Sequence, residues 1–198
     1  MKKQELYIVV VVLALISMSG CVVSKQNSPE ANKAIAYVMA NEEAFKPANT
    51  KKGLVGFEIE EIYYNVYEKT VVEMYQTYNN IPVHGTKKYI HINQEGNIDF
   101  VVGEFVSYLE RANGLNEVIK LDAATAITIA REATKSIGYS KKNYKAKLYV
   151  LPNQSTQDAK YIYETRSGII WEQAANWICH IDAITGEVIM IHNDVIRD

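Results

Sequence analysis

Cysteine is scarce in this chain of 198 residues: there are two, Cys21 and Cys179. Cys21 belongs to an N-terminal segment with its own logic, described below. No intramolecular disulfide is then available, and Cys179 reads as a small buried hydrophobe in a strand rather than a reactive thiol. Charge of one sign is also lacking. The formal net charge is -2 and the pI about 6.1, so no basic surplus points to nucleic acid and no acidic tail to a basic partner. Phenylalanine (4) and tryptophan (2) are few beside tyrosine (14). Tyrosines at alternating positions suit half-buried strands, with rings packed and hydroxyls wet.

The motifs of catalysis are missing as well. No H-E-x-x-H occurs, and His84, His91, His180 and His192 include no i, i+4 pair that would present two imidazoles on one helical face. Each histidine is therefore read as structural, with no metal expected. Ser167-Gly168 follows no nucleophile elbow, and no glycine-rich phosphate loop is present. Asn93, Glu95 and Asn97 around Gly96 are too few ligands for a calcium cage and read as a turn. Glu58, Glu60 and Glu61, like Glu42-Glu43, read as solvated charge. The expectation is a non-enzymatic protein with no catalytic residue and no cofactor.

What is present begins with an address. Lys2-Lys3 precede an apolar run from Tyr7 to Ile16, too short for a comfortable membrane span, and Met18-Ser19-Gly20-Cys21 resembles the prokaryotic lipobox. The expectation is a cleaved lipoprotein signal over residues 1–20, with Cys21 lipidated, and a polar tether over 21–28. The rest of the chain would then sit outside the cytoplasm, held at the extracytoplasmic face of a prokaryotic membrane.

Ser28-Pro29 is an N-cap followed by proline at the first helical position, and Ala34, Ile35, Val38, Met39 and Phe45 follow at helical spacing, which predicts a helix from Ala31 to Phe45 ended by Pro47. Four strands and their turns occupy residues 57 to 106. Asn79-Asn80, Pro82 and Gly85 form a shaped turn between two of them, and Asn93 to Asn97 joins another pair. A connector with Asn113-Gly114 leads to a helix from Ala123 to Ile137, capped by Asp122 and ended by Gly138. Strands follow at Lys145 to Val150, Lys160 to Thr165, Ala175 to Asp182 and Val188 to Ile191, with a polar loop from Pro152 to Ala159. The layout predicts an α+β protein of two small domains, 29–111 and 112–198, each a helix packed on an antiparallel β-meander.

On these residues the chain resembles the propeptides of thermolysin-like and fungalysin-like metalloproteases. Gln76-Thr77-Tyr78, Pro82-Val83 and Gly85 are similar to the signature of the fungalysin/thermolysin propeptide (FTP) domain, and Ile90 to Ile98 to its next hairpin. Asn80 stands where that family often has glycine. Asp122 to Gly138 and Trp177 to Ile189, with Ile181-Asp182-Ala183 and Thr185-Gly186-Glu187-Val188, resemble a PepSY domain. In protease precursors a catalytic domain follows where this sequence reaches Asp198. The resemblance implies a propeptide-like protein that binds an extracytoplasmic thermolysin-like protease in trans, inhibiting it or assisting its folding. The expected contact residues are Asn79, Asn80, Pro82 and His84 in the turn and Asn193, Asp194 and Arg197 near the C-terminus. An envelope binding or structural module with no protease partner is the alternative.

Overall fold

The computed structural model describes residues 28–42, 45, 54–135, 143–167 and 176–194. The lipobox and Cys21, Pro47, Gly138 and Arg197 lie outside the described residues. No described helix is long and apolar enough to cross a membrane.

Helix α1 spans Pro29–Asn41, and the amide of Ala31 donates to the Ser28 hydroxyl at 3.0 Å, the cap expected from the sequence. It stops a turn earlier than its apolar spacing predicts, because Glu42 takes an extended conformation and Phe45 reaches the core beyond the helix. Strands β1 (Val55–Tyr64), β2 (Thr70–Tyr78), β3 (Ile81–Ile92) and β4 (Ile98–Val102) follow as an antiparallel meander. A 3-10 turn at Leu109–Arg111 lies in the connector, and α2 spans Ala123–Lys135 behind the Asp122 cap, whose Oδ1 accepts from the Thr125 amide at 2.7 Å. Strands β5 (Lys145–Asn153), β6 (Asp158–Arg166), β7 (Trp177–Asp182) and β8 (Val188–Asn193) complete the chain. Pro152 and Ala159, expected in a loop, lie within β5 and β6 and pair with each other, and the turn between these strands is correspondingly short.

The α+β class holds, but the strands form one mixed sheet rather than two separate meanders. Its order is β1-β2-β3-β5-β6-β7-β8, with β4 also on β3, and the join is a parallel pairing of Val83 with Val150. Strand β3 divides its outer edge to make this possible. Tyr89 to Ile92 pair with β4, and the chain then leaves the edge at Gly103. Gly103 has φ +91°, and a Cβ there would stand 2.1 Å from the Lys87 carbonyl oxygen, so only glycine fits. Beyond that point the edge is free for β5.

Both helices cover the same face of the sheet. On β2, Val72 and Met74 join Ala34 and Val38 in a smaller core with Ile90, Ile92 and Phe105. Tyr78, on the same side of the strand, joins a larger core with Ala126, Ala130, Val150, Tyr161, Tyr163, Cys179 and Ile181. That larger core draws on both sides of residue 112: Val83, Val106 and Leu109 from one, Leu115 and the second half from the other. The α2 stripe that packs here is Ala126, Ala130 and Thr134. Tyr64 and Tyr67 are exposed as expected, but three tyrosines of the larger core do not keep wet hydroxyls. Tyr161 and Tyr163 donate to the carbonyls of Leu115 and Leu121 at 3.3 and 3.2 Å, and Tyr144 is 2.6 Å from the Thr134 hydroxyl. Buried hydroxyls need such partners, and these bonds pin the connector and α2 to the sheet.

Candidate functional site: the sheet face opposite the two helices

The turn between β2 and β3 is a two-residue hairpin of Asn79 and Asn80, both with positive φ (50° and 62°). Such turns match the twist of antiparallel strands, and asparagine tolerates the left-handed region, so Asn80 serves where glycine is the alternative. Pro82 lies already within β3, opposite Thr77, rather than in a longer loop ending at Gly85. Gly85, with φ +76°, belongs to a bulge whose register shift falls opposite Gln76. The bulge changes the alternation of β3: Val83 enters the larger core, while Ile90 and Ile92 enter the smaller one.

Much of the distinctive text around this turn is structural. Gln76 is fully buried, and its side-chain amide donates to the Val106 carbonyl and accepts from the Val106 amide, both at 2.8 Å. It thus acts as an extra backbone unit that ties β2 to the connector. Thr86 accepts from the Gln76 amide at 3.2 Å and donates to the Val83 carbonyl at 2.8 Å, so the bulge keeps its polar groups satisfied. Tyr78 is core, and Asn79 donates its amide to the Leu54 carbonyl at 2.6 Å.

His84 points the other way from Val83, onto the face opposite α1 and α2, which carries no described helix. There its ring lies 5.6 Å from Tyr149 of β5 and 4.9 Å from His180 of β7, and His180 lies 6.3 Å from His192 of β8. Lys147 of β5 sits over the rings of Tyr149 and Tyr75 at 5.1 and 5.9 Å, which continues the same surface onto β2. Farther across, Lys87 is paired with Glu73 and with Glu60, and Tyr75 hydrogen-bonds Glu58. Glu58 and Glu60 are therefore engaged side chains of this face as well as solvated ones. The hydrogen bond and charge of Lys87 hold the Glu60 carboxyl below its ordinary value.

At the centre is Glu164 of β6, buried to 7% exposure and directly opposite His180 in register. One carboxylate oxygen, Oε2, faces His84 Nε2 at 3.1 Å and His180 Nε2 at 3.3 Å; the other accepts from Arg166 Nε at 2.7 Å. An ionised carboxylate only accepts, so with no cation present each imidazole offers its Nε2–H. These hydrogen bonds, from His180 first and His84 next, with Arg166 in support, hold the Glu164 carboxyl far below the usual carboxylate range despite burial. Arg166 also reaches Asp194 at 3.4 Å.

The structure thus links two of the residues expected at a partner surface, His84 and Asp194, through Glu164 and Arg166. Asn193 caps the same edge, its Oδ1 accepting from the Asn176 amide at 2.8 Å. Asn79, Asn80 and Pro82 are not part of the cluster; Asn79 and Asn80 form the exposed hairpin end of β2 and β3, and Pro82 beside them is half-buried. Glu164 and His180 carry no local sequence signal, since they lie 80 and 96 positions from His84 or, between themselves, 16. The usable clue was alternation: tyrosines 161 and 163 inward place Glu164 outward. Among the described residues, His84, Glu164 and His180 are also the group whose possible ligand atoms all lie within 4.8 Å of one another, close enough to share a metal ion. Cys179, on the opposite side of β7, is buried as expected, and burial pushes its thiol pKa up, so it is a poor nucleophile.

Residues 56–105 match the family model described as the Fungalysin/Thermolysin Propeptide Motif. The family describes a propeptide motif, not a catalytic domain. The chain is similar to Bacillolysin of Bacillus cereus, 27% identical over 130 residues, which are 66% of this chain and 23% of that protein. It is similar to Bacillolysin of Brevibacillus brevis at 27% over 123 residues, 60% of this chain and 23% of that protein. The chain spans about a quarter of the length of these relatives. The matched residues are those that fold as β1 to β4 and the start of the connector.

Proposed function

We propose that this chain is a non-enzymatic, propeptide-like binding protein, anchored to the outside of a prokaryotic membrane through lipid on Cys21. In this reading it binds a thermolysin-like metalloprotease in trans and inhibits it or assists its folding. The observation that carries the reading is the match of residues 56–105 to a propeptide motif, over the segment that folds as β1 to β4. The sheet face opposite α1 and α2 supports it physically. Paired charges, tyrosine rings and the exposed hairpin of Asn79 and Asn80 make a preformed surface that needs little ordering to dock. The second half of the chain, from Asp122 onward, is assigned in the same reading to a PepSY-like unit.

The test mixes purified residues 22–198 with a separately produced bacillolysin-type protease. The expected result is slower peptide hydrolysis, or a higher yield of active protease on refolding. Absence of both, with no binding at micromolar concentration, contradicts the proposal. The anchor is tested by itself: radioactive palmitate should label the wild-type chain and spare Cys21→Ala. A second reading, an envelope binding or structural module without a protease partner, is favoured by the His84–Glu164–His180 cluster, which docking to a protease does not require. Recovery of a metalloprotease with the lipidated protein from its native envelope separates the two.

A further inference from the structure

We propose that His84, Glu164 and His180 form a site for one zinc-class divalent cation, which fastens β3 to β6 and β7. Two imidazoles and a carboxylate are a zinc donor set, and bonds of about 2.0–2.1 Å in tetrahedral array place neighbouring donors about 3.3 Å apart. The present separations between Glu164 Oε2 and the two Nε2 atoms are 3.1 and 3.3 Å. The ligand atoms of all three lie within 4.8 Å of one another, so a cation at this point replaces two imidazole protons and draws the rings together, with little movement of the carboxylate, and each ring moves its own proton to Nδ1. Three protein ligands leave a fourth position for water or for a group from a partner.

The surroundings fit this use. Arg166 Nε holds Oε1 at 2.7 Å, which fixes the carboxylate plane and presents Oε2 as a single ligand, an outer-shell role that metal-binding carboxylates commonly require. Its positive charge moderates the affinity. The ammonium of Lys147, opposite Glu164 in register, leans over the rings of Tyr75 and Tyr149. His180 is 4% exposed and His84 33%, so one ligand is rigidly set and the other offers the way in. His192 lies beyond His180, and its Nδ1 is buried without a hydrogen-bond partner among the described residues. The site joins residues of β3 to residues of the second half, so the cation acts across the parallel pairing of β3 with β5.

The full chain, purified in detergent and stripped with a chelator, is titrated with Zn2+ against a chromophoric competitor. The expected stoichiometry is one. At a hundredfold excess over Kd, Zn2+ raises Tm by roughly 5–10 °C. Co2+ in the site gives the intense visible bands of a tetrahedral ion. His84→Ala, at a part-exposed position, lowers Zn2+ affinity by about tenfold or more and removes the Tm shift, as does His180→Gln, whereas His91→Ala, on the first half, changes neither. If His180→Gln does not fold, His84→Ala decides alone. Binding well below one equivalent, or wild-type affinity in His84→Ala, overturns the site. Retention through Cys21 would show itself as that second outcome. None of these readouts involves a protease, so failure here leaves the proposed function standing, and the reverse.

Discussion

The two halves of the chain share an element order, helix then meander, yet they are built unequally. The first half keeps a small core beneath α1, made by Ala34, Val38, Val72, Met74, Ile90, Ile92 and Phe105. The second half sits on a larger core that borrows Tyr78, Val83, Val106 and Leu109 from the first. Their faces opposite the helices differ too. The first presents lysine–glutamate pairs and tyrosines, whereas the second presents a buried carboxylate shared between its own His180 and His84 of the first half. Similar element order therefore does not make equivalent units. One half leans on the other, and β3 is the strand through which it does so.

Truncating the shared core tests that dependence most strongly. Leu109, 1% exposed, belongs to the larger cluster, and Leu109→Ala is expected to cost about 2–5 kcal/mol. Hydrogen exchange should show lost protection in β2 as well as β7. Protection of β2 unchanged while β7 weakens would break the comparison, because the first half would then stand alone.

The divided edge of β3 comes next. Gly103→Ala places a Cβ against the Lys87 carbonyl at a positive φ, with an expected loss of about 2–4 kcal/mol in urea unfolding. A variant as stable as wild type would mean that β4 can leave its edge by another route.

Glu164 is the third test, and its effect depends on pH. Its folded-state pKa lies below the ordinary value of 4.5, so its stabilisation is fully present above that value and is lost as the pH falls through it toward the lower folded pKa. Glu164→Gln should cost about 1–3 kcal/mol at pH 7 and leave a flatter stability profile below pH of about 4.5. Parallel profiles for the two proteins would remove Glu164 as the source of the difference between the halves. The smallest effect is at the hairpin. Asn80→Ala, at φ 62°, should cost about 1 kcal/mol and Asn80→Gly almost nothing, read as shifts in Tm.

Much of the fold was legible in the residues. Ser28-Pro29 and Asp122 mark both helix starts because their side chains cap amides within three residues, a contact that needs no tertiary structure. Asn79-Asn80 marks the hairpin for the same local reason. The C-terminal end of α1 was not legible, since Met39 and Phe45 continue a helical spacing that the backbone abandons at Glu42. Residues 152 to 159 read as loop because they are polar, yet Pro152 pairs with Ala159 near the end of β5, where the ladder hydrogen bond that proline lacks is not needed. Of the candidate surface, His84 and Asp194 were legible from their segments. Glu164 and His180 were not, because what makes them a site is their common distance from His84.

By itself the sequence determined the caps, the turns, the alternation of the strands and the likeness of residues 56–105 to a propeptide motif. Each depends on side chains acting within a few positions of their own backbone. Only the tertiary structure decided that the two meanders share one sheet, that their cores overlap, and that His84 meets Glu164 and His180. Those outcomes rest on the single pairing of Val83 with Val150, on a bulge at Gly85 that turns His84 away from the core, and on the departure of β4 at Gly103. Strand alternation says which face a residue takes, but only pairing across strands says whom it meets.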